Sequence, residues 1–491
     1  MRKTASKIAA LLLAAMTLQL FACGNGAGTA DTGNDTPSDD TTTAAPETEK
    51  PYADSLGEYD FGGTDFTMLV RESRNDLICP ENETGDVVSD SIYKRNEKIA
   101  DRFNVNIKTV TLPDDSTKWN QQLEGEVMSG SGDYDIVMPD YWWGCETRGL
   151  FLNLLDYDVL DFSAPYWCAG WNDSATIYGQ LYSAVGSMSL DLIRMLEVIY
   201  FNPTLIDSLG LENPYELVND HKWTLDKMTE MAAAALSDLN GDSEYNVGDD
   251  RLGYACDLQS GRALLASAGM KIATPTSDGS YEYNFMNDRF VTMYDKVYNI
   301  INNNAACYYL KSGSLDTGKG DIDLNGAFKN SLLLFLGAFV GNTDNLRDMT
   351  TDYGIIPTPM LDESQENYVT YNLGTYYMAI LKTAKDPQMS AVMLEALNAE
   401  SYKSVVGTYF DTALKGKYSR DEETAKMLDL ILSNTFFDFT FVNESATDHI
   451  VMWFFEQIAN KKEGIMSAYD KKKTSYEKKL TTLLETYKNN G

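Results

Sequence analysis

Tyr134-Asp135-Ile136-Val137-Met138-Pro139-Asp140, read together with the earlier Asp101-Arg102-Phe103-Asn104-Val105-Asn106-Ile107, decides the fold. The first stretch is a short apolar run closed by proline and aspartate, the pattern of a buried strand ending in a turn. The second joins the end of an amphipathic helix to the start of a strand. Working outward, Thr64 to Arg71 has the β-rich texture of a first strand. Asp86 to Phe103 predicts a helix, with Ile92, Ile99 and Phe103 near one face and Lys94, Arg95 and Glu97 elsewhere. Val105 to Val110 is a second strand, and Pro113, Asp114 and Asp115 supply turn chemistry. Ser116 or Thr117 then caps a helix from about Lys118 to Met128. Strand and helix alternate, which favours an open α/β sheet.

A chain of 491 residues is long enough for two or three domains, and 43% hydrophobic residues suffice for packed cores. The formal net charge is −33. Such a surface repels phosphate backbones and anionic headgroups, so nucleic-acid binding is disfavoured. The only histidines are His221 and His449, which argues against a histidine-based zinc site or a Ser-His-Asp machine. Cys79, Cys145, Cys168, Cys256 and Cys307 form no Cys-x-x-Cys pair, and buried free thiols are the expectation. The run Gly313 to Gly320 imitates a phosphate loop, but Gly320 replaces the required Ser or Thr.

At the N-terminus, Arg2, Lys3 and Lys7 precede an apolar run from Ile8 to Phe21, the form of a secretory signal. Leu20-Phe21-Ala22-Cys23 resembles the lipobox of bacterial lipoproteins. That resemblance implies cleavage after Ala22, a diacylglycerol thioether on Cys23, and a membrane partner reached through a lipid anchor. Gly24 to about Tyr52 is polar and carries Pro37, Pro46 and Pro51, so residues 23–57 are expected to form a disordered tether.

The order of strands and helices from Thr64 to Met138 resembles the extracellular solute-binding proteins of bacterial ABC importers, in particular the carbohydrate-type lipoproteins. Later segments are similar. Gly179 to Gly186 looks like a first interlobe crossing, and Glu197 to Asn202 like the strand opening a second lobe. Ser331 to Phe339 fits a second crossing, buried on both faces, where Gly337 admits a bend. Tyr353 to Pro359 resembles a strand ending in the family's proline turn, and Tyr371 to Ile380 the strand of a third crossing. The resemblance implies an α/β, two-lobe periplasmic-binding-protein-like fold (type II) with interlobe crossing strands. It places one lobe at 58–183 plus 338–380 and the other at 187–334 plus 385–491, with Ser467 to Asn489 as a closing helix on the second lobe.

Three candidate sites follow. In Asp238 to Asp249, oxygen side chains at Asp238, Asn240, Asp242 and Asp249, with Glu244 at the backbone-carbonyl position, match the spacing of a calcium loop. Ser243 stands where such loops usually have glycine. The expected role of Ca2+ there is structural. Asp140, Tyr141, Trp142 and Trp143 follow a strand end, where ligands of open α/β sheets sit, and sugar rings stack on aromatic faces. Tyr371, Asn372 and Tyr376 flank Gly374 near the third crossing, and Ser187, Asp191 and Trp453 complete the candidate ligand set. No catalytic residue is assigned. The expected function is a monomeric, non-enzymatic lipoprotein at the extracellular face of the cell membrane. It would bind a sugar or oligosaccharide and deliver it to ABC permease subunits. The alternatives are a surface glycoside hydrolase, which needs a carboxylate pair across the substrate, or a glycan-binding sensory or adhesive lipoprotein.

Overall fold

The computed structural model describes residues 54–490 apart from 312, 315–318, 321, 373 and 411–421. The predicted signal, Cys23, nearly all of the tether and part of the glycine-rich run lie outside the described residues. β1 (Thr64–Arg71), β2 (Val105–Leu112) and β3 (Ile136–Met138) form a parallel sheet in the order β2-β1-β3. The register runs from Thr64 opposite Val105 to Arg71 opposite Leu112. α1 (Val87–Phe103) and α2 (Ser116–Ser129) make the two crossovers. Asp86 caps α1 by accepting from the amides of Val88 and Ser89 at 3.1 and 3.0 Å. α2 starts earlier than expected because Asp115, not Ser116 or Thr117, is its cap, accepting from the Lys118 amide at 2.9 Å. A carboxylate in that position also meets the positive end of the helix dipole.

The second sheet has five strands. They are β4 (Glu197–Phe201), β5 (Leu252–Cys256), β6 (Cys307–Tyr309), β7 (Leu333–Phe339) and β8 (Gly354–Pro357). Their order is β8-β4-β7-β5-β6. β5, β6 and β7 run parallel, while β4 is antiparallel to both of its neighbours. Every residue of β7 is buried, as its apolar composition predicts for a central strand. Gly337 serves close approach here: a Cβ would stand 2.7 Å from the Tyr254 hydroxyl. α3 (Leu258–Ala266) follows β5 directly. One buried cluster surrounds the first sheet, and two more cover the faces of the second.

The division of the chain between the two sheets differs from the expected one in three places. β8 falls within 338–380, yet it pairs with β4 as an edge of the second sheet. Its glycine, Gly354, lies against the Phe201 ring where a side chain would clash. α4 (Pro387–Glu400) falls within 385–491, yet its apolar side, including Val392, Leu394 and Leu397, packs in the first cluster. The C-terminal segment contains α5 (Ile450–Ala459) and α6 (Lys473–Asn490). α6 touches both halves rather than closing the second alone. Its Tyr476 lies 5.8 Å from the Trp453 ring in the second cluster. Leu480, Leu483 and Tyr487 enter the first, where Tyr487 meets Tyr182 at 5.1 Å. Between the sheets, Tyr371 to Ile380 runs from Leu196, bridged by Asn372, to β3, where Val137 is bridged by Ala379. Ala184 bridges Met378 alongside.

Candidate functional site

The carboxyl ends of the parallel strands open on one cavity of about 400 Å³. Arg71 ends β1, and Asp140, Trp142 and Trp143 follow β3. From the second sheet come Asp257 after β5, Phe339 at the end of β7, and Glu197 at the start of the reversed strand β4. Met195, Gln259, Gly374 and Met452 add to the wall. Ligands of open α/β sheets bind at such strand ends because the loops there are free of the ladder.

Arg71 organises the first wall. Its Nη1 donates to Asp140 Oδ2 at 2.5 Å, and its Nε and Nη2 donate to the two oxygens of Asp114 at 3.2 Å each. Its guanidinium also lies 5.3 Å from the centre of the Trp143 ring. One fork thus fixes two carboxylates and an indole. Arg74 donates from Nε to Asp191 at 2.6 Å. Burial pushes the Asp140 carboxyl up, and Arg71 offsets only part of that. Burial acts the same way on Asp114, but hydrogen bonds from Arg71 and Ser73 leave it below the usual carboxylate range.

On the second wall, Glu197 is buried and accepts the Ser260 hydroxyl at 2.7 Å. Asp257 caps α3 through the amides of Gln259 and Ser260 at 3.0 and 3.1 Å. Trp142 and Trp143 are both half-buried. Trp143 packs on Trp119 at 5.3 Å, and Trp142 meets the His449 ring at 5.8 Å and the Arg262 guanidinium at 4.6 Å. Carboxylates, guanidinium groups and indole rings held in fixed positions can bond hydroxyls and stack on the C–H faces of a polar ring. A separate cavity walled by Leu265, Phe290, Val451 and Phe454 measures about 30 Å³, room for water and not for a sugar.

Of the sequence candidates, the cavity gathers Asp140, Trp142 and Trp143. The others stand behind it or elsewhere. Tyr141 turns inward and packs on Phe441 at 4.5 Å, because consecutive side chains on the loop diverge. Tyr371 is buried against Phe441 at 4.8 Å. Asn372 donates to the carbonyls of Asp191 and Leu192 at 3.1 and 2.9 Å and is fully buried. Tyr376 donates to the Met188 carbonyl at 3.4 Å, and Ser187 to that of Tyr166 at 3.2 Å. The last three tie the crossing segments to their neighbours. Asp191 is buried beneath Arg74. Trp453 packs with Tyr476 and Lys472 in the second cluster. Sequence reasoning missed Arg71, Glu197, Asp257 and Phe339, although each stands at a predicted or predictable strand end. The strand-end rule that points to Asp140 points equally to Arg71, Asp257 and Phe339.

The acidic loop is closed differently from its spacing. Asp238 accepts from the amides of Gly241 and Ser243 at 2.6 and 2.9 Å, and Asp242 from that of Glu244 at 2.8 Å. Buried Asp250, not the exposed Asp249, ties the loop together, accepting from Leu239 and Asn246 at 2.9 Å each. Asn240 bonds Asp242 at 3.0 Å. Among the described residues no three His, Cys, Asp or Glu side chains are placed to hold a metal. Cys79, Cys145, Cys168, Cys256 and Cys307 are free thiols. Burial pushes Cys168 and Cys307 up to about 12, so neither is reactive at neutral pH.

No protein-family model matches the chain, and no curated protein matches it. Solved structures do. A solute-binding protein of an ABC transporter from Thermotoga lettingae, bound with α-D-tagatose, aligns at a TM-score of 0.54 and 12% identity, covering 86% of this chain and 100% of that one. The galacto-N-biose/lacto-N-biose I-binding protein of Bifidobacterium longum, in complex with lacto-N-biose, aligns at 0.53 and 14%, covering 88% and 98%. An ABC substrate-binding protein of Listeria monocytogenes, in complex with cycloalternan, aligns at 0.51 and 12%, covering 86% and 97%. The chain has the two-lobe α/β fold of these proteins.

Proposed function

We propose that this protein captures a sugar or oligosaccharide and delivers it, unaltered, to an ABC importer. The observation that carries the reading is the cavity of about 400 Å³ at the strand ends of both sheets, walled by Trp142, Trp143 and the Arg71–Asp140 pair. Its volume lies in the range of small-ligand sites, roughly 300–1,000 Å³. The sugars named in the structural neighbours support the same class of ligand. The test is calorimetric titration with tagatose, lacto-N-biose, maltotetraose and cycloalternan, with peptides and polyamines as controls. Stacking contributes about 0.5–1.5 kcal/mol per ring beyond burial. Trp142→Ala with Trp143→Ala should therefore weaken sugar binding tenfold or more. Unchanged affinity in the double variant removes the loop from the site, and turnover of any sugar favours a hydrolase.

The anchor and the metal rest on sequence. We propose that mature protein begins at a lipidated Cys23 and stands outside the cell on its tether as a monomer. The mass of the N-terminal peptide tests this. Among the described residues no helix is long and apolar enough to cross a membrane. Calcium at Asp238 to Asp249 is carried by spacing, and binding would have to rotate Asp238 and Asp242 off the loop amides. Its test is a rise in melting temperature when calcium is added to metal-free protein.

A further inference from the structure

The three cavity groups Trp142, Gln259 and Met452 come from distant parts of the chain, and all three meet one ion pair that does not itself line the cavity. Arg262, on α3, and Glu444 are both wholly buried, with Nη2 and Oε2 3.0 Å apart. Arg262 Nη1 donates to Gln259 Oε1 at 3.2 Å, and the guanidinium lies 4.6 Å from the centre of the Trp142 ring. Glu444 Oε1 accepts the Met452 amide at 3.3 Å. The Glu444 carbonyl accepts the His449 amide at 2.9 Å, and the His449 ring stacks on Trp142 at 5.8 Å with 22° between planes. His449 and the preceding Asp448 both adopt left-handed backbone, at φ 54 and 58, which places that ring at some cost in strain.

We propose that Arg262 and Glu444 are the positioning pair of the binding cavity. Together they set the pose of Trp142 and of the second-lobe groups that face it. This rests on the reading of the cavity as a sugar site. A buried ion pair is a weak source of stability, since desolvation cancels most of its attraction and apolar substitutes often serve as well. What an apolar pair does not supply is direction. The guanidinium is a rigid planar fork, so Nη2 held by Glu444, with Nη1 on Gln259, restricts where the group can lie. It lies over the ring of Trp142, which follows β3 of the first sheet. Its Nη1 bonds Gln259, on the α3 that follows β5 of the second sheet. The pair therefore aligns the two walls against each other without touching what they hold.

The test uses Arg262→Met with Glu444→Leu, which removes both charges and strands neither, and Arg262→Lys, which keeps the charge and loses the fork. Two readouts are taken on the full chain. The first is acrylamide quenching and emission of Trp142 without sugar, assigned by difference from Trp142→Phe. The second is affinity for tagatose, lacto-N-biose, maltotetraose and cycloalternan. In the double variant the Trp142 emission should shift to the red and quench at least twofold more readily, with sugar affinity down tenfold or more. Arg262→Lys should move both readouts the same way by less. The proposal is overturned if either variant loses thermal stability while Trp142 emission and quenching stay as in the wild type. It is overturned equally if the folded double variant binds with wild-type affinity. The emission arm needs no sugar: if the wild type binds none of the four, the sugar reading fails while the quenching data still decide the role of the pair.

Discussion

Replacing Glu146 with glutamine should leave stability unchanged below about pH 4.5 and raise it progressively from there to about pH 7, where the gain levels off. Glu146 follows the tryptophan loop in a short turn, is 4% exposed, and accepts the Tyr377 hydroxyl at 3.1 Å through Oε2. Its Oε1 is buried with no hydrogen-bond partner among the described residues. Cys145 and Tyr377 face it, Tyr487 approaches from α6, and Arg148 is the nearby cation. Burial dominates and pushes the carboxyl from 4.5 up to about 7. The sign follows from proton uptake. Below about 4.5 the group is neutral in folded and unfolded chains alike, so it contributes nothing. Between about 4.5 and 7 the folded state holds the proton the unfolded chain has lost, and stability falls by up to about 1.4 kcal/mol per pH unit. Above about 7 the penalty levels off, at about 3 kcal/mol from the shift. Glutamine carries no charge and escapes it. Unfolding entropy of about 2.1 cal/mol/K per residue makes 1 kcal/mol worth about 1 °C in a unit of this length. Melting curves of Glu146→Gln and wild type from pH 4.5 to 8.5 should coincide in acid and diverge to about 3 °C by pH 8. Parallel curves across the range would refute the argument, because a substitution acting through packing alone has no reason to follow the carboxyl titration.

Arg71→Met should weaken sugar binding about tenfold and lower stability by chemical denaturation, since it strands the half-buried Asp140 and frees Asp114 and Trp143 together. Asp140→Asn in the same chain should recover part of the stability and not the affinity. Asp250→Ala should lower the melting temperature and speed amide exchange at Leu239 and Asn246, whose donors it satisfies. Tyr487→Ala should destabilise by about 3 kcal/mol, with exchange rising along α6 first, because that ring is buried against Tyr182 in the first cluster.

Several elements were legible because their information is local. Apolar spacing marked α1, and β-rich composition marked β1 and β2, each within a residue or two of the observed ends. The shift of the α2 cap to Asp115 is a choice among neighbouring acceptors that a few ångströms decide. Free cysteines followed from their number and spacing. The loop 238–250 was visible as a turn of oxygen side chains, but which acid closes it depended on which one turns inward.

The cavity was only half legible. That aromatic residues after β3 line a cavity was readable from the strand-end rule; that Tyr141 does not was settled by Phe441, far along the chain. Arg71 became a site residue when parallel pairing set β1 beside β3, which brings its fork to Asp140. β8 and α4 join the half opposite to the one expected for the same reason: a chain that passes between two halves carries similar apolar patterns in both.

Sequence by itself determined the alternation of strand and helix in the first sheet, the burial of β7 and the acidic, histidine-poor character that argues against nucleic-acid binding and histidine-based chemistry, because hydrophobic periodicity and charge are properties of neighbours. The tertiary structure alone decided which side chains share the cavity and which half each late segment joins. Arg262 and Glu444 meet across 182 positions, and no local pattern encodes a contact that exists only once both sheets have packed.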